Sequence, residues 1–456
     1  MAKPSSDSIK MDTGGTIFAL SSAPGRAGVS VFRVSGPNAL MSVQTLTGAP
    51  CPVPRRAAFR RLYNGDVVID EALVIVMPAP NSFTGEDVAE FQTHGSLAVI
   101  DAMAAALLAT GARHAAPGEF TRRAFINGRM DLTEAEGLAD LIDAQTEGQR
   151  VQALRQMQGG LRDIYEMWRS DLIDALAMVE GEIDFPDEGD VPDALALKAT
   201  PPIESAVHAM QMAISEAGRG ERVRAGLNIA VIGKPNAGKS SIINRIAGRD
   251  VAIVSDEAGT TRDIIDVPLV MAGLPIRLSD TAGLRAAETK IEAEGVRRAK
   301  QRSSESDIRI YVHDSTEGEI SEAETKSLRP GDIILFNKSD QRKTPPALPH
   351  NRTDIHIFYI SAQTGAGFKA FLDFFEQCIT ERFSPQNLPG LTRLRHLDCT
   401  QRALDAALRA SGHLRDAPEL AGDDLRSALH AIKELAGETD MDAVFDRIFS
   451  RFCIGK

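Results

Sequence analysis

The sequence predicts a multidomain α/β chain: an N-terminal α+β domain, an all-α helical domain, and a doubly wound α/β domain inserted into the helical one. Three observations carry this expectation. Residues 16 to about 120 mix short apolar runs with Gly/Pro turns. Apolar residues then recur at helical spacing, break off, and recur again from Leu394 onward. Between those two helical stretches, at about 224–380, apolar strands alternate with helices as in βαβ units over a parallel sheet.

Residues 1–15 are polar and Gly/Ser-rich, which predicts a disordered tail, and they hold no apolar signal core. In 16–122, the runs Val29-Ser30-Val31-Phe32 and Ala72-Leu73-Val74-Ile75-Val76 read as strands, and 97–109 as an Ala-rich helix. The first half of the helical domain, 123–223, opens with Thr133 and Glu136 spaced as a capping box. Its apolar stripe runs through Leu161, Ile164, Tyr165, Trp168, Leu172, Leu176 and Ile183 until Phe185-Pro186-Asp187 stops it. The second half, 381–456, carries Leu425, Leu429, Ile432 and Leu435 three or four residues apart. Each half exposes a stripe that the other can cover, which makes the segment 224–380 an insertion.

At 456 residues, with 43% hydrophobic and 25% charged, the chain exceeds one core and suits roughly three domains. No stretch approaches the roughly 20 apolar residues of a membrane span, so no membrane association and a cytoplasmic location are expected. The four cysteines, Cys51, Cys378, Cys399 and Cys453, form no C-x-x-C pair, which argues against a zinc site and a disulfide framework. A net charge of −12 repels phosphate backbones, so nucleic acid must meet a local patch or a partner.

The chemistry is most legible where the apolar run 227–232 enters Gly233-Lys234-Pro235-Asn236-Ala237-Gly238-Lys239-Ser240 and a helical pattern beginning with Ser241. This is a P-loop. Its glycines let backbone N–H groups close around phosphates, the helix N-terminus favours their charge, Lys239 reaches the β and γ groups, and the Ser240 hydroxyl ligates magnesium. Downstream, Asp280-Thr281-Ala282-Gly283 puts a carboxylate at a strand end, to hold magnesium through water, and a glycine N–H near the γ-phosphate. Upstream of it, Gly259-Thr260-Thr261 supplies a hydroxyl that can close over the metal as a switch. Asn337-Lys338-Ser339-Asp340 follows the run 333–336; the Asp340 carboxylate can accept from the ring N–H and the amine of guanine, a donor pair adenine lacks. Ser361-Ala362 offers backbone N–H to the guanine oxygen. This order of fragments predicts a Ras-like G domain that binds GTP.

Many GTPases place a Gln directly after the Asp-x-x-Gly motif to orient the attacking water. Leu284 stands there and cannot do this. Either hydrolysis is very slow or the water is held from elsewhere, and Arg285, Glu288, Glu292 and Glu294 are nearby candidates.

Further segments lie in every domain: Ala23-Pro24-Gly25-Arg26-Ala27-Gly28-Val29, Asn81-Ser82-Phe83-Thr84-Gly85-Glu86-Asp87, Ile183-Asp184-Phe185-Pro186-Asp187-Glu188 and Phe452-Cys453-Ile454-Gly455-Lys456. With the P-loop they closely resemble the MnmE (TrmE) family, the tRNA uridine 5-carboxymethylaminomethyl modification GTPases. The resemblance implies a homodimer joined through the N-terminal domains, with G domains that meet across potassium ions when GTP is bound. Potassium then takes the role of an arginine finger. By motif, Asn236 is its side-chain ligand, and Ser255, Asp256, Glu257, Ala258 and Thr260 belong to the loop that supplies the others; Thr261 joins Ser240 on magnesium. The family's catalytic carboxylate falls on Glu292, with Glu288 and Glu294 as competitors.

The resemblance also implies that the N-terminal domain binds 5-formyl-tetrahydrofolate, or a related tetrahydrofolate, through Arg33, Glu90, Arg129 and the terminal Lys456. Cys453 is either a thiol participant at that site or a plain buried cysteine. The chain shows no G-x-G-x-x-G after a strand, so the flavin is expected from a partner. The family implies the FAD-binding protein MnmG (GidA), in a heterotetramer that modifies the wobble uridine of certain tRNAs. A competing reading of the G-domain motifs alone is a ribosome-assembly or signalling switch.

Overall fold

A computed structural model describes residues 14–184, 195–248, 266–280, 306–342, 352, 354–383, 390–439, 445, 448–450, 452 and 455. The chain divides into two compact units, 1–139 together with 433–456, and 140–432.

In the first unit the strands are β1 (Ile17–Leu20), β2 (Ala27–Ser35), β3 (Ala58–Asn64), β4 (Val67–Met77), β5 (Val88–Gly95) and β6 (Arg113–His114). They form one sheet in the order β3-β4-β5-β2-β1-β6, antiparallel except between β1 and β6. Alternation decides the faces: Ala72, Val74 and Val76 of β4, with Phe32 and Val34 of β2, point into a core roofed by α1 (Ala39–Thr47) and α2 (Leu97–Ala109). The helix expected at 97–109 is α2, capped by the Ser96 hydroxyl accepting from the Val99 N–H at 3.2 Å. α3 (Glu119–Ile126) follows β6, and its Phe120 is buried with Ile17, Ala19 and Ala115.

α4 (Leu132–Asp143) corrects the expected capping box. Asp131, not Thr133, stands before the first helical residue: its carboxylate accepts from the Glu134 N–H at 2.8 Å, and the Glu134 carboxylate accepts from the Asp131 N–H at 2.8 Å. Thr133 donates to the same Asp131 carboxylate, so the ionised acceptor takes the cap and moves the box two residues upstream. Leu132 and Ala135 are packed by Phe449 and Phe452 from the far end of the chain. Gly118, at φ +67, leaves no room for a Cβ, which would stand 2.5 Å from the Phe449 carbonyl oxygen.

In the second unit, α5 (Glu147–Met157), α6 (Gly160–Asp184) and α7 (Thr200–Ala225) precede the inserted sheet, and α11 (Leu394–His413) and most of α12 (Pro418–Ala436) follow it. α7 packs against both α6 and α11, so helices from either side of the insertion share one core. α6 buries Leu161, Tyr165, Trp168 and Leu172, four of the residues singled out by spacing. At Gly220 of α7 the chain after the insertion comes close, and a Cβ there would lie 2.9 Å from the Leu391 carbonyl oxygen.

The inserted sheet comprises β7 (Leu227–Gly233), β8 (Asp266–Met271), β9 (Leu274–Asp280), β10 (Ile308–Asp314), β11 (Ile333–Asn337) and β12 (His356–Tyr359). Its order is β12-β11-β10-β7-β9-β8, parallel except for the β8–β9 hairpin. Both faces are covered. Ile308, Ile310, Ile333 and Leu335 face α8 (Lys239–Ala247) and α10 (Phe368–Phe383), whereas Tyr311, Ile334 and Phe336 pack on the other side with Ile320 and Leu328, which flank α9 (Glu322–Ser327). This is the doubly wound arrangement expected from the sequence.

Candidate functional site

The P-loop joins β7 to α8 at the carboxyl end of the sheet. Left-handed backbone at Asn236 (φ 63) and Gly238 (φ 94) curls the loop. Gly238 has no alternative, because a Cβ there would stand 2.1 Å from the Asn337 amide nitrogen. Lys239 is buried and folds back over the loop, its Nζ donating to the carbonyls of Gly233 at 3.0 Å and Lys234 at 2.7 Å. Ser240 and Ser241 are exposed in the first turn of α8. The α8 N-terminus and this curl suit phosphate oxygens, and a serine hydroxyl suits magnesium, which takes oxygen ligands.

β11 ends in the expected base-recognition segment. Asn337 is buried, its Nδ2 donating to the Ala237 carbonyl at 2.8 Å and its Oδ1 accepting from the Ala362 N–H at 2.9 Å. One amide thus fastens the P-loop to the 361–362 loop. The Ser361 N–H donates to the Ala366 carbonyl at 3.0 Å, so both backbone donors expected to meet guanine are engaged within the protein, and a guanine oxygen would share the Ala362 donor with Asn337. Lys338 is left-handed (φ 60) and pairs with Asp314, the last residue of β10. Burial raises the Asp314 pKa, but Lys338 and the Thr316 hydroxyl and N–H outweigh it and hold the carboxyl below its ordinary value. Asp340 is exposed on the same segment.

Two groups holding this site were not singled out from the sequence. Arg245 of α8 donates to the Ala362 carbonyl at 2.7 Å and lies over the Phe368 ring, bracing the base-side loop against the P-loop helix. Lys234 pairs with Glu317 at 3.3 Å and Glu324 at 3.2 Å. Burial works against ionisation of Glu324, but hydrogen bonds from Ser321, Tyr311 and Lys234 prevail and bring it down to about 2. Asp314 had a legible signal, a carboxylate closing an apolar strand, and Glu324 had one in the capping-box spacing Ser321-x-x-Glu324; Arg245 had none, since its partner Ala362 is far away in sequence.

A second constellation lies in the first unit. Arg33 of β2 and Glu90 of β5 are cross-strand partners on the face opposite α1 and α2, paired at 2.9 Å. The Arg33 guanidinium lies over the rings of Phe83 (5.4 Å) and Phe120 (6.0 Å). Arg129 is exposed, with its stem beside Gly85. From the far end of the chain, Gly455 accepts at its carbonyl from the Ser21 hydroxyl at 3.0 Å, next to the end of β1.

The expected residues 255–261 and 281–283, together with Leu284, Arg285, Glu288, Glu292, Glu294, Cys453 and Lys456, lie outside the described residues. Asp280 ends β9, and its side chain is also outside them.

A six-stranded, doubly wound sheet with a P-loop after its central β7 defines a P-loop protein of the G-domain class. A model described as "MnmE helical domain" matches residues 132–453, and one described as "GTP-binding protein TrmE N-terminus" matches 16–129. The "tRNA modification GTPase MnmE" of Maricaulis maris is 50% identical over 443 residues, spanning 97% of this chain and 99% of that protein. Its namesake from Phenylobacterium zucineum is 45% identical over 447 residues, with coverage of 97% and 99%. The chain belongs to the MnmE (TrmE) family. Among solved structures, the G domain of the T. maritima FeoB iron transporter is 21% identical, covers 32% of this chain and 94% of its own, and has a TM-score of 0.24.

Proposed function

We propose that this chain is a GTPase of tRNA modification: it hydrolyses GTP in a potassium-dependent way and, with a flavoprotein partner, takes part in adding a carboxymethylaminomethyl or aminomethyl group to C5 of the wobble uridine of certain tRNAs. The observation that carries the reading is the Asn337 amide, which binds the Ala237 carbonyl and the Ala362 N–H and so holds the phosphate and base loops in one frame. Family membership supports the rest.

In this reading the Lys239 ammonium leaves its two carbonyls to meet phosphate, Ser240 and Thr261 hold magnesium, and Asp340 selects guanine. Asn236 holds potassium with ligands drawn from Ser255, Glu257 and Thr260. A cation there offsets charge developing at the β–γ bridge, and Glu292 positions the water indirectly. Arg33, Glu90, Arg129 and Lys456 receive a tetrahydrofolate; the Arg33–Glu90 pair supplies both the cation and the carboxylate that such a ligand needs. The chain works as a cytoplasmic homodimer, with FAD brought by an MnmG-type partner. No helix among the described residues is long and apolar enough to cross a membrane. The domain borders belong to the same proposal: 16–122, 123–223, 224–380 and 381–456.

The test is GTP turnover in KCl against NaCl at equal ionic strength, with Asn236→Ala alongside. Turnover should rise by at least about tenfold in KCl, and Asn236→Ala should lose that rise while retaining GTP binding. Equal, slow turnover in both salts would sink the potassium mechanism.

A further inference from the structure

Four segments of the first unit, β2, 82–86, β6 and 116–123, meet in a network of charged and hydroxyl side chains that nothing above has used. Arg123 of α3 is 2% exposed. Its Nη1 donates to both carboxylate oxygens of Glu86, at 3.2 and 3.0 Å, and its Nη2 to Glu119 at 3.0 Å. Glu119 also accepts from Arg113 at 2.8 and 2.6 Å and from the Ala116 N–H at 2.9 Å. Glu86 accepts from the Ser35 hydroxyl at 2.7 Å, and Ser35 and Thr84 share a further bond at 2.7 Å.

What this network fixes is the loop 82–86. Asn127 donates to the Thr84 carbonyl at 2.7 Å and Ser82 to the Glu86 carbonyl at 2.5 Å, so the loop is tied at several points, and Arg123 brings a positive charge to its Glu86 carboxylate. The loop carries Phe83 against the Arg33 guanidinium and Gly85 against the Arg129 stem. Glu119, on the other hand of Arg123, is followed by Phe120, the second ring against Arg33. Arg123 therefore joins the two segments whose rings hold Arg33.

We infer that Arg123, acting through Glu86 and Glu119, is a positioning residue that sets Arg33 and Arg129 for an anionic, pterin-bearing ligand. The inference rests on the folate reading above and deepens it. A lysine at 123 keeps the charge but cannot span both carboxylates with a planar fork, so Phe83 and Phe120 lose their common tether.

The experiment measures 5-formyl-tetrahydrofolate binding to the full-length chain by titration calorimetry, for wild type, Arg123→Lys, Arg33→Ala and the double variant, with unfolding temperature and GTP affinity as parallel readouts. Arg123→Lys should weaken folate binding by about tenfold, leave GTP affinity unchanged, and weaken it little further in the Arg33→Ala background, because the two act through one another. Independent, multiplicative losses, or undiminished folate binding by a folded Arg123→Lys, would overturn the role. Should Arg123→Lys fail to fold, Glu86→Gln, at the half-buried end of the network, takes its place with the same criteria. A wild-type chain that binds GTP but no folate would remove the underlying reading, and this role with it.

Discussion

Asn337 ties the nucleotide site together, because one buried amide satisfies a carbonyl of the P-loop and an N–H of the base-side loop. Asn337→Ala leaves both without that partner and should cost about 1–3 kcal/mol in urea unfolding, together with a marked loss of GTP affinity. Asn337→Asp keeps the acceptor for Ala362 and loses the donor to Ala237, so it should fall between; equal stability of all three proteins would contradict the assignment. The P-loop was legible at this scale because its backbone demands particular residues: a glycine where a Cβ would strike Asn337, and an Asn where φ is 63. The Glu119–Arg123 half of the network follows a helical i,i+4 spacing, but the Glu86 half was not legible, since Glu86 lies 37 residues from its partner and no local spacing encodes such a pair. The cap of α4 shows a milder failure: Thr133 matched a pattern, but Asp131, an ionised acceptor two residues earlier, took the place.

At the scale of elements, α3 begins at a carboxylate whose state depends on pH. Burial raises the Glu119 pKa, but bonds from Arg113, the Ala116 N–H and Arg123 outweigh it and hold the carboxyl below its ordinary 4.5. A pKa depressed by folding stabilises the native state fully above the unfolded value and loses that contribution as pH falls through the folded one. The first unit should thus lose stability on acidification below about pH 4.5, and Glu119→Gln should show a shallower loss; thermal unfolding between pH 6 and 3 checks both. Elsewhere, the Gly148 N–H of α5 donates to the Gly273 carbonyl at the turn of the β8–β9 hairpin, at 3.1 Å. A Cβ on Gly148 would stand 2.8 Å from that oxygen, whereas one on Gly218 of α7 meets nothing within 4 Å. Gly148→Ala should destabilise by about 1–3 kcal/mol and Gly218→Ala should stabilise by roughly 0.5–1 kcal/mol, a difference in sign that denaturant midpoints will show. The strands of the inserted sheet were readable because a parallel sheet buried on both faces requires unbroken apolar runs, and the long helices because their buried residues recur at helical spacing. Bracing contacts such as Gly148 to Gly273 depend on tertiary approach.

For the whole molecule, the unit that contains the first strands is finished by the last residues. Phe449 and Phe452 are buried against Leu132 and Ala135, and Gly455 lies on Leu20 and Ser21 with no space for a Cβ, which would come within 2.5 Å of the Leu20 carbonyl oxygen. Deleting residues 452–456 removes one buried phenyl group and should lower the stability of that unit by about 1.5–3 kcal/mol, seen as faster amide exchange in β1 while exchange in β10 and β11 is unchanged. The inserted sheet could be expected from sequence because its motifs lie in order along one segment. The closure of the first unit was not legible in residue patterning, since it joins segments separated by the whole of 140–432; the family resemblance, which put the terminal Lys456 at the N-terminal domain, was what pointed to it.

That closure also sets a schedule for synthesis. On the ribosome the segment 433–456 emerges only after 140–432 has been made, on the order of tens of seconds after the first strands at ordinary translation rates. The P-loop unit can complete its sheet during that interval, whereas the first unit must wait, with Leu132 and Ala135 still lacking their cover. A message cut short between residues 383 and 433 therefore yields a chain with a finished nucleotide-binding sheet and an open N-terminal core, a product whose exposed apolar surface marks it for chaperones and proteases.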